Sequence, residues 1–422
     1  MNEEFLQYVW KQRLFDHSKL QLSTGELVEI IDVGEQNTDA GPDFFNARIK
    51  IDDTIWAGNV EVHINSSDWE KHRHSGNKAY DNVILHVVLN DDKMITRANG
   101  ETIPALEIIF NDKLYNNYNN LLSNKLWLAC RNYLPETDTF LLNEWLTRLL
   151  VERLEEKTDY IIKELGKNNN DWGETFYQQL ARNFGFKLNA GPFELLARSL
   201  PEKFLKKHKD NLMQIEAMLF GQAGMLEENY KEEYFLSLRK EYSFLKHKFS
   251  LVPMEKHLWK FSKSRPVNFP TLRIAQFAAL LHRSDGLFSQ ILETENITGL
   301  QSLFNISASE FWDTHYVFGK SSVKKKKVLG DTAFQVIVIN TVVPFLFVYG
   351  RIKDDISLKD RAVSFLEKLK PERNSIITKW EQSGISPVNA FHTQALIHLK
   401  NTYCNQKKCL NCRIGNKIIT AF

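Results

Sequence analysis

Cysteine is scarce in this chain: four in 422 residues, three of them within the last 20. That count and placement exclude a disulfide framework of the secreted kind. Long apolar runs are missing too. The longest, Val336 to Tyr349, is interrupted by Asn340, Thr341 and Pro344 and falls short of the roughly 20 residues a membrane-crossing helix takes. The opening Met1-Asn2-Glu3-Glu4 has neither a basic leader nor an apolar signal core. These absences point to a cytoplasmic protein with no membrane segment. No internal repeat occurs, and the only low-complexity stretch is Lys324–Lys327. A chain of this length exceeds one small core, so two or three domains are expected.

The net charge of +2 hides an asymmetry. Residues 1–120 hold 11 Lys+Arg against 20 Asp+Glu, and the remaining residues hold 43 against 32. An acidic metal-binding module beside a basic region that grips a polyanion has this pattern, and so do two domains that attract each other. The periodicity changes at the same place. Before residue 120 the pattern reads helix (Glu3–Phe15), three strands (Leu27–Val33, Phe44–Ile51, Thr54–Ile64), a possible short helix (Asp68–His74), then strands Asn82–Leu89 and Ile103–Phe110. From Leu121 onward the spacing is helical: Glu144–Leu165, Glu174–Phe184, Phe193–Ser199, Asp210–Ala223, Glu232–His247, Leu272–Leu281, Phe334–Tyr349, Leu358–Leu369 and Pro387–Leu399.

The residues that carry chemistry sit in the acidic module. Gly41-Pro42-Asp43 opens one strand, and Glu61-Val62-His63 lies on the next. Residues two apart on a strand share a face, so Glu61 and His63 project together while Val60, Val62 and Ile64 fill the other side. Converging carboxylates suit a hard cation such as Mg²⁺ or Mn²⁺, which phosphodiester cleavage commonly uses. Asp68, His72 and His74 follow closely, and His86 stands on the next strand. Imidazoles at i and i+2 beside acids suit Zn²⁺ or Mn²⁺ equally. The bland reading is an amphipathic strand with solvent-facing charges, a polar loop, and a structural His86.

This order of elements, with Pro-Asp before the middle strand and Glu-x-His on the third, resembles the PD-(D/E)xK nuclease superfamily over roughly residues 3–110. The resemblance implies a restriction-endonuclease-like mixed α/β sheet module at 1–120; with the helical spacing and charge beyond it, the expected class is α+β, the module followed by a basic, all-helical region at 121–422. The resemblance also implies that Asp43 and Glu61 hold the metal, with a helix-borne acid at Glu3 or Glu4. Where the superfamily carries Lys this chain has His63, which would orient or deprotonate the attacking water.

At the other end, Cys404, Cys409 and Cys412 form a C-x₄-C-x₂-C run with His398 upstream. The C-x₂-C half chelates a tetrahedral ion without strain, and the fourth ligand is Cys130, His398 or an open position. Leu396 to Cys404 followed by Lys408-Cys409-Leu410-Asn411-Cys412 is similar to the iron–sulfur ending of endonuclease-III-like DNA glycosylases, and Leu329-Gly330-Asp331 to their hairpin. The first spacing is shorter here, a fourth local cysteine is absent, and no catalytic Lys/Asp pair can be placed. The expected occupant is Zn²⁺ or an iron–sulfur cluster; the bland reading is three free cysteines at a basic tail, where neighbouring lysines raise thiolate character. Lys324, Lys325, Lys326 and Lys327, with Arg265 and Arg273, are the candidate phosphate contacts; a run of lysines is also an ordinary solvated loop.

Gly41 to Ala47, Gly58 to Ile64, Ser67-Asp68-Trp69, Asn82 to Val88 and the Cys404–Gly415 tail together resemble, essentially end to end, a bacterial family catalogued as a domain of unknown function (number 2851). The expected activity is a metal-dependent nuclease acting on nucleic acid. The alternatives are a non-catalytic nucleic-acid-binding or assembly protein on a degenerate nuclease fold, and a zinc hydrolase using His63, His72 and His74. Carboxylates of Asp43 and Glu61 within about 4–5 Å mark the first; three converging imidazoles mark the last.

Overall fold

The computed structural model describes residues 1–97, 99–136 and 138–421. It divides into two compact units, Met1–Trp145 together with the segment from Leu399 onward, and Leu146–His398.

The first unit begins with helix α1 (Glu3–Lys11), capped by the Asn2 side chain accepting from the Phe5 amide. Its apolar stripe, Phe5, Leu6, Val9 and Trp10, is fully buried, each large side chain contributing roughly 2–3 kcal/mol. The sheet follows: β1 (Val28–Asp32), β2 (Glu35–Gln36), β3 (Phe44–Ile51), β4 (Thr54–Asn65), then α2 (Asp68–Lys71), β5 (Val83–Asn90) and β6 (Ala105–Glu107). The strand order is β1-β3-β4-β5-β6, with β2 pairing β3. β1, β3 and β4 form an antiparallel meander, while β4–β5 and β5–β6 are parallel. A parallel partner needs a crossover, and α2 with the loop to Tyr80 supplies it. Helix α3 (Asp112–Ser123) follows β6.

The second unit is built from α4 (Thr139–Lys167), in which the boundary falls, and from α5 (Trp172–Phe184), α6 (Phe186–Ser199), α7 (Glu202–Lys206), α8 (Leu212–Gln222), α9 (Glu233–Phe249) and α10 (Pro270–Arg283). It continues through α11 (Leu287–Glu293), α12 (Ile297–Leu303), α13 (Asp331–Ile337), α14 (Val343–Ile352), α15 (Ile356–Lys368), α16 (Ser375–Glu381) and α17 (Ala390–His398). Trp312, Trp380 and Phe220 lie in its interior with no solvent exposure. Beyond it, α18 (Arg413–Ile419) belongs to the first unit.

The mixed N-terminal sheet and the large helical region agree with the expected fold class. Two details differ. The region after residue 121 is not all-helical, because a hairpin of β7 (His315–Val317) and β8 (Lys320–Ser321) turns at Gly319 with φ +74°. The apolar run near Val336 is also not interrupted. A π turn at Val338–Val342 joins α13 to α14, and Pro344 falls where its missing N–H costs little. The resulting 22-residue helix is long and apolar enough to cross a membrane, but 78% of its most apolar window is buried inside the protein, the position of a core helix.

Candidate metal centre

Asp43 is delivered by a rigid loop. Gly41 adopts φ +117°, a region that disfavours a side chain. Asn37 spans the turn, its amide nitrogen donating to the carbonyls of Asp39 (3.0 Å), Ala40 (3.4 Å) and Pro42 (3.1 Å). The Asp43 carboxylate then accepts from the Val62 amide at 3.0 Å and from Gln7 Nε2 of α1 at 2.8 Å. In return the Asp43 amide donates to Glu61 Oε2 at 3.1 Å.

Glu61 and His63 share one face of β4, and the parallel register sets His86 beside Glu61. These are not solvent-facing charges: Glu61 is 5% exposed, His63 1% and His86 0%. Burying polar groups in a sheet is costly without partners, and the partners are each other. His63 Nδ1 meets His86 Nε2 at 2.8 Å, and His63 Nε2 meets His72 Nδ1 at 3.1 Å.

His72 and His74 are brought in by the end of α2. His72 caps the helix, Arg73 turns the chain in the left-handed region (φ 61°), and His74 starts a 3₁₀ turn. The His74 ring stacks on Tyr80 at 3.9 Å and edges against Trp69 at 5.3 Å. Its Nε2 lies 3.2 Å from Glu61 Oε1, which is 3.5 Å from His63 Nε2. Yet His74 Nε2 is buried and makes no hydrogen bond among the described residues.

One ring nitrogen from each of His63, His72 and His74 lies within 4.8 Å of the others. The spacings of 3.1, 3.2 and 3.5 Å bracket the edge of a tetrahedron drawn around an ion with 2.0–2.1 Å bonds, about 3.3 Å. The three imidazoles thus lie at the spacing of ligands to a single ion, and Glu61 stands beside two of them, His63 and His74. Only His72 is exposed, so solvent reaches the centre from that side.

Electrostatics match this enclosure. Burial, then the neighbouring Glu61, pushes the Asp43 carboxyl up to about 7. Burial pushes Glu61 up to about 8, opposed by the Asp43 amide. Burial, then His86 and the other imidazoles, drives His63 down to about 2, so His63 is neutral and its contact with Glu61 is not an ion pair. Glu3 on α1 is half-buried and raised by burial, in the field of His72 and His74; Glu4 is exposed.

The remaining candidates fall elsewhere. Asp68 caps its own turn, accepting from the Asn65 amide at 3.0 Å and pairing with Lys71 at 2.5 Å. Lys324, Lys325 and Lys326 are exposed, but Lys327 is buried, donating to the Asp313 carbonyl and lying 4.3 Å over Tyr316. Arg273 is buried over the Phe186 ring at 4.6 Å and holds Gln276 and Asn268, whereas Arg265 is exposed. His398 is occupied with Glu152 and Glu156. Gln7, which holds Asp43, carried no sequence signal that marked it, and Asn37 was legible only as the start of a turn, Asn37 to Pro42.

The chain belongs to the family described as "Protein of unknown function (DUF2851)", whose model matches residues 3–375. The match ends before the cysteine tail, so the likeness is not end to end. No curated protein and no solved structure matches.

Proposed function

We propose that this protein is a metal-dependent phosphodiesterase acting on nucleic acid, with Zn²⁺ or Mn²⁺ held by Glu61, His63, His72 and His74. The observation that carries the reading is the convergence of three imidazoles at ligand spacing, with the Glu61 carboxylate beside two of them and a buried His74 nitrogen that makes no hydrogen bond among the described residues. An imidazole-rich set favours Zn²⁺ or Mn²⁺ over Mg²⁺, which prefers oxygen ligands. His63 serves as ligand rather than base, because its Nδ1 is committed to His86 and its Nε2 faces the shared point. His86 fixes that tautomer, as partners of ligating histidines do. Asp43, with a carboxyl near neutrality, takes the proton of the attacking water. A bound ion supplies Lewis acidity toward the phosphoryl oxygen. The Pro-Asp/Glu-x arrangement on a mixed sheet and the basic balance beyond residue 120 favour a phosphodiester over other hydrolysable bonds.

The test is cleavage of labelled single- and double-stranded DNA and RNA by the full chain with Zn²⁺, Mn²⁺ or Mg²⁺. Wild type should cleave at least one substrate with Zn²⁺ or Mn²⁺, and Glu61→Gln and His74→Ala should not. Failure of the metal-loaded wild type on every substrate, or equal cleavage by Glu61→Gln, overturns the proposal.

A further inference from the structure

Four cysteines of the first unit line one cavity, one of them far in sequence from the other three. Cys130 lies in the loop after α3, and Cys404, Cys409 and Cys412 come from the C-terminal segment. All four are free thiols lining one cavity.

The local backbone is shaped around that cavity. Cys404 ends a π turn, Leu399–Cys404. Lys407 then reverses the chain at φ 52°, with the Lys408 amide donating to the Tyr403 carbonyl at 3.0 Å. Cys409 opens a 3₁₀ turn, and Cys412 is the N-cap of α18. Burial raises the Cys412 thiol, and the amides of Gly415 and Ile414, which its sulfur accepts from, oppose that rise. Gly415 is obligatory here, since a Cβ would stand 2.1 Å from the Cys409 carbonyl oxygen. Cations ring the site: Lys400 is buried over Trp127 at 4.5 Å, and Lys407 holds the carbonyls of Leu122 and Asn124. Both offset the charge of a tetrathiolate, which with a divalent ion is −2.

We propose that Cys130, Cys404, Cys409 and Cys412 form a closed Zn²⁺ site that fastens the C-terminal segment to the N-terminal module. Cys130, not His398, is the fourth ligand. Four thiolates leave no open position, which is the signature of a structural rather than a catalytic zinc. The inference is independent of the proposed activity, because it uses different residues and a different ligand chemistry.

Metal analysis of the full chain after purification without chelator, followed by Co²⁺ substitution, tests it. Tetrahedral Co²⁺ bound to thiolate gives a sulfur-to-cobalt charge-transfer band in the near ultraviolet, which a site of imidazole and carboxylate does not. The expected result is that band in wild type and in His74→Ala, its loss or a marked shift in Cys130→Ser, and four thiols that become reactive only after zinc is chelated. Should Cys130→Ser not fold, the chelator-dependent thiol count in wild type decides by itself. Four freely reactive thiols in the zinc-loaded protein, or a band unchanged in a folded Cys130→Ser, overturns the proposal. So does brown protein carrying iron and acid-labile sulfide.

Discussion

In metal-free protein the carboxyl pair ties stability to pH with a definite sign. Asp43 and Glu61 titrate as a pair near 7 and 8 when folded and near 4 when unfolded. The folded state keeps protons that the unfolded state has lost, so stability declines as pH rises from the unfolded value through the folded ones. His63 acts oppositely. Its folded value of about 2 lies below the unfolded 6.5, so its contribution is lost as pH falls below about 6.5. The two effects oppose each other between about pH 4.5 and 6.5, and above that range only the carboxyl pair among these three groups still acts. Integrating both folded-state titrations from pH 6.5 to 8.5 gives a loss of about 3 kcal/mol, roughly 6–12 °C in Tm for a unit of this size. The perturbation is the double variant Asp43→Asn, Glu61→Gln, and the assay is calorimetry of chelator-treated protein at pH 6.5, 7.5 and 8.5. The four thiols and other groups outside the pair's field titrate alike in both proteins, and its neighbours His74, lowered by burial, and Tyr80, raised to about 12, fall outside this pH range, so the difference isolates the pair. A wild-type Tm that falls no more steeply than the variant's refutes the reasoning.

Three further outcomes are expected. Removing the partner of His63 in His86→Phe should weaken Zn²⁺ binding at the N-terminal centre by about 10–100-fold, measured by competition with a chromophoric chelator in protein whose cysteine site is already filled. Asn37→Ala should cost about 1–3 kcal/mol in urea unfolding, since it frees the loop that presents Asp43, and should lower cleavage more than it lowers metal affinity. Lys327→Ala should destabilise by about 1–3 kcal/mol and leave nucleic-acid binding unchanged. Replacing Lys324, Lys325 and Lys326 by Ala should instead leave stability unchanged and reduce the salt slope of DNA binding by up to about 3.

The sheet was legible because its signals are local. Alternation through Val60, Val62 and Ile64 and turn residues at Asp52-Asp53 and Asn90-Asp91-Asp92 placed β3, β4 and β5 within a few residues. The long helices were legible for the same reason, and α3 was missed because asparagines dilute its apolar stripe. Residue type and spacing brought forward Asp43, Glu61, His63, His72 and His74, but not their division of labour. That division rests on burial and ring contacts made by distant residues: His86 against His63, Tyr80 under His74, Gln7 against Asp43. Lys327 and Arg273 show the converse. In sequence each is a cation in a basic stretch, yet folding turns both inward onto aromatic rings, and no local pattern reports that. Cys130 is likewise a lone thiol in sequence, placed with its partners only by the fold.

The first unit is assembled from both ends of the described chain, with residues 146–398 between them. During synthesis at about 5–20 residues per second, the N-terminal sheet waits on the order of 10–50 s for its missing segment. Through that interval Cys130 and the partners of α18 stand open on the nascent chain, while the helical unit forms from its own contiguous sequence. A ribosome that stalls or terminates between His398 and Cys404 therefore releases a chain whose larger unit is complete and whose first unit is not. Such a fragment is marked for chaperone or protease by its unfinished first unit.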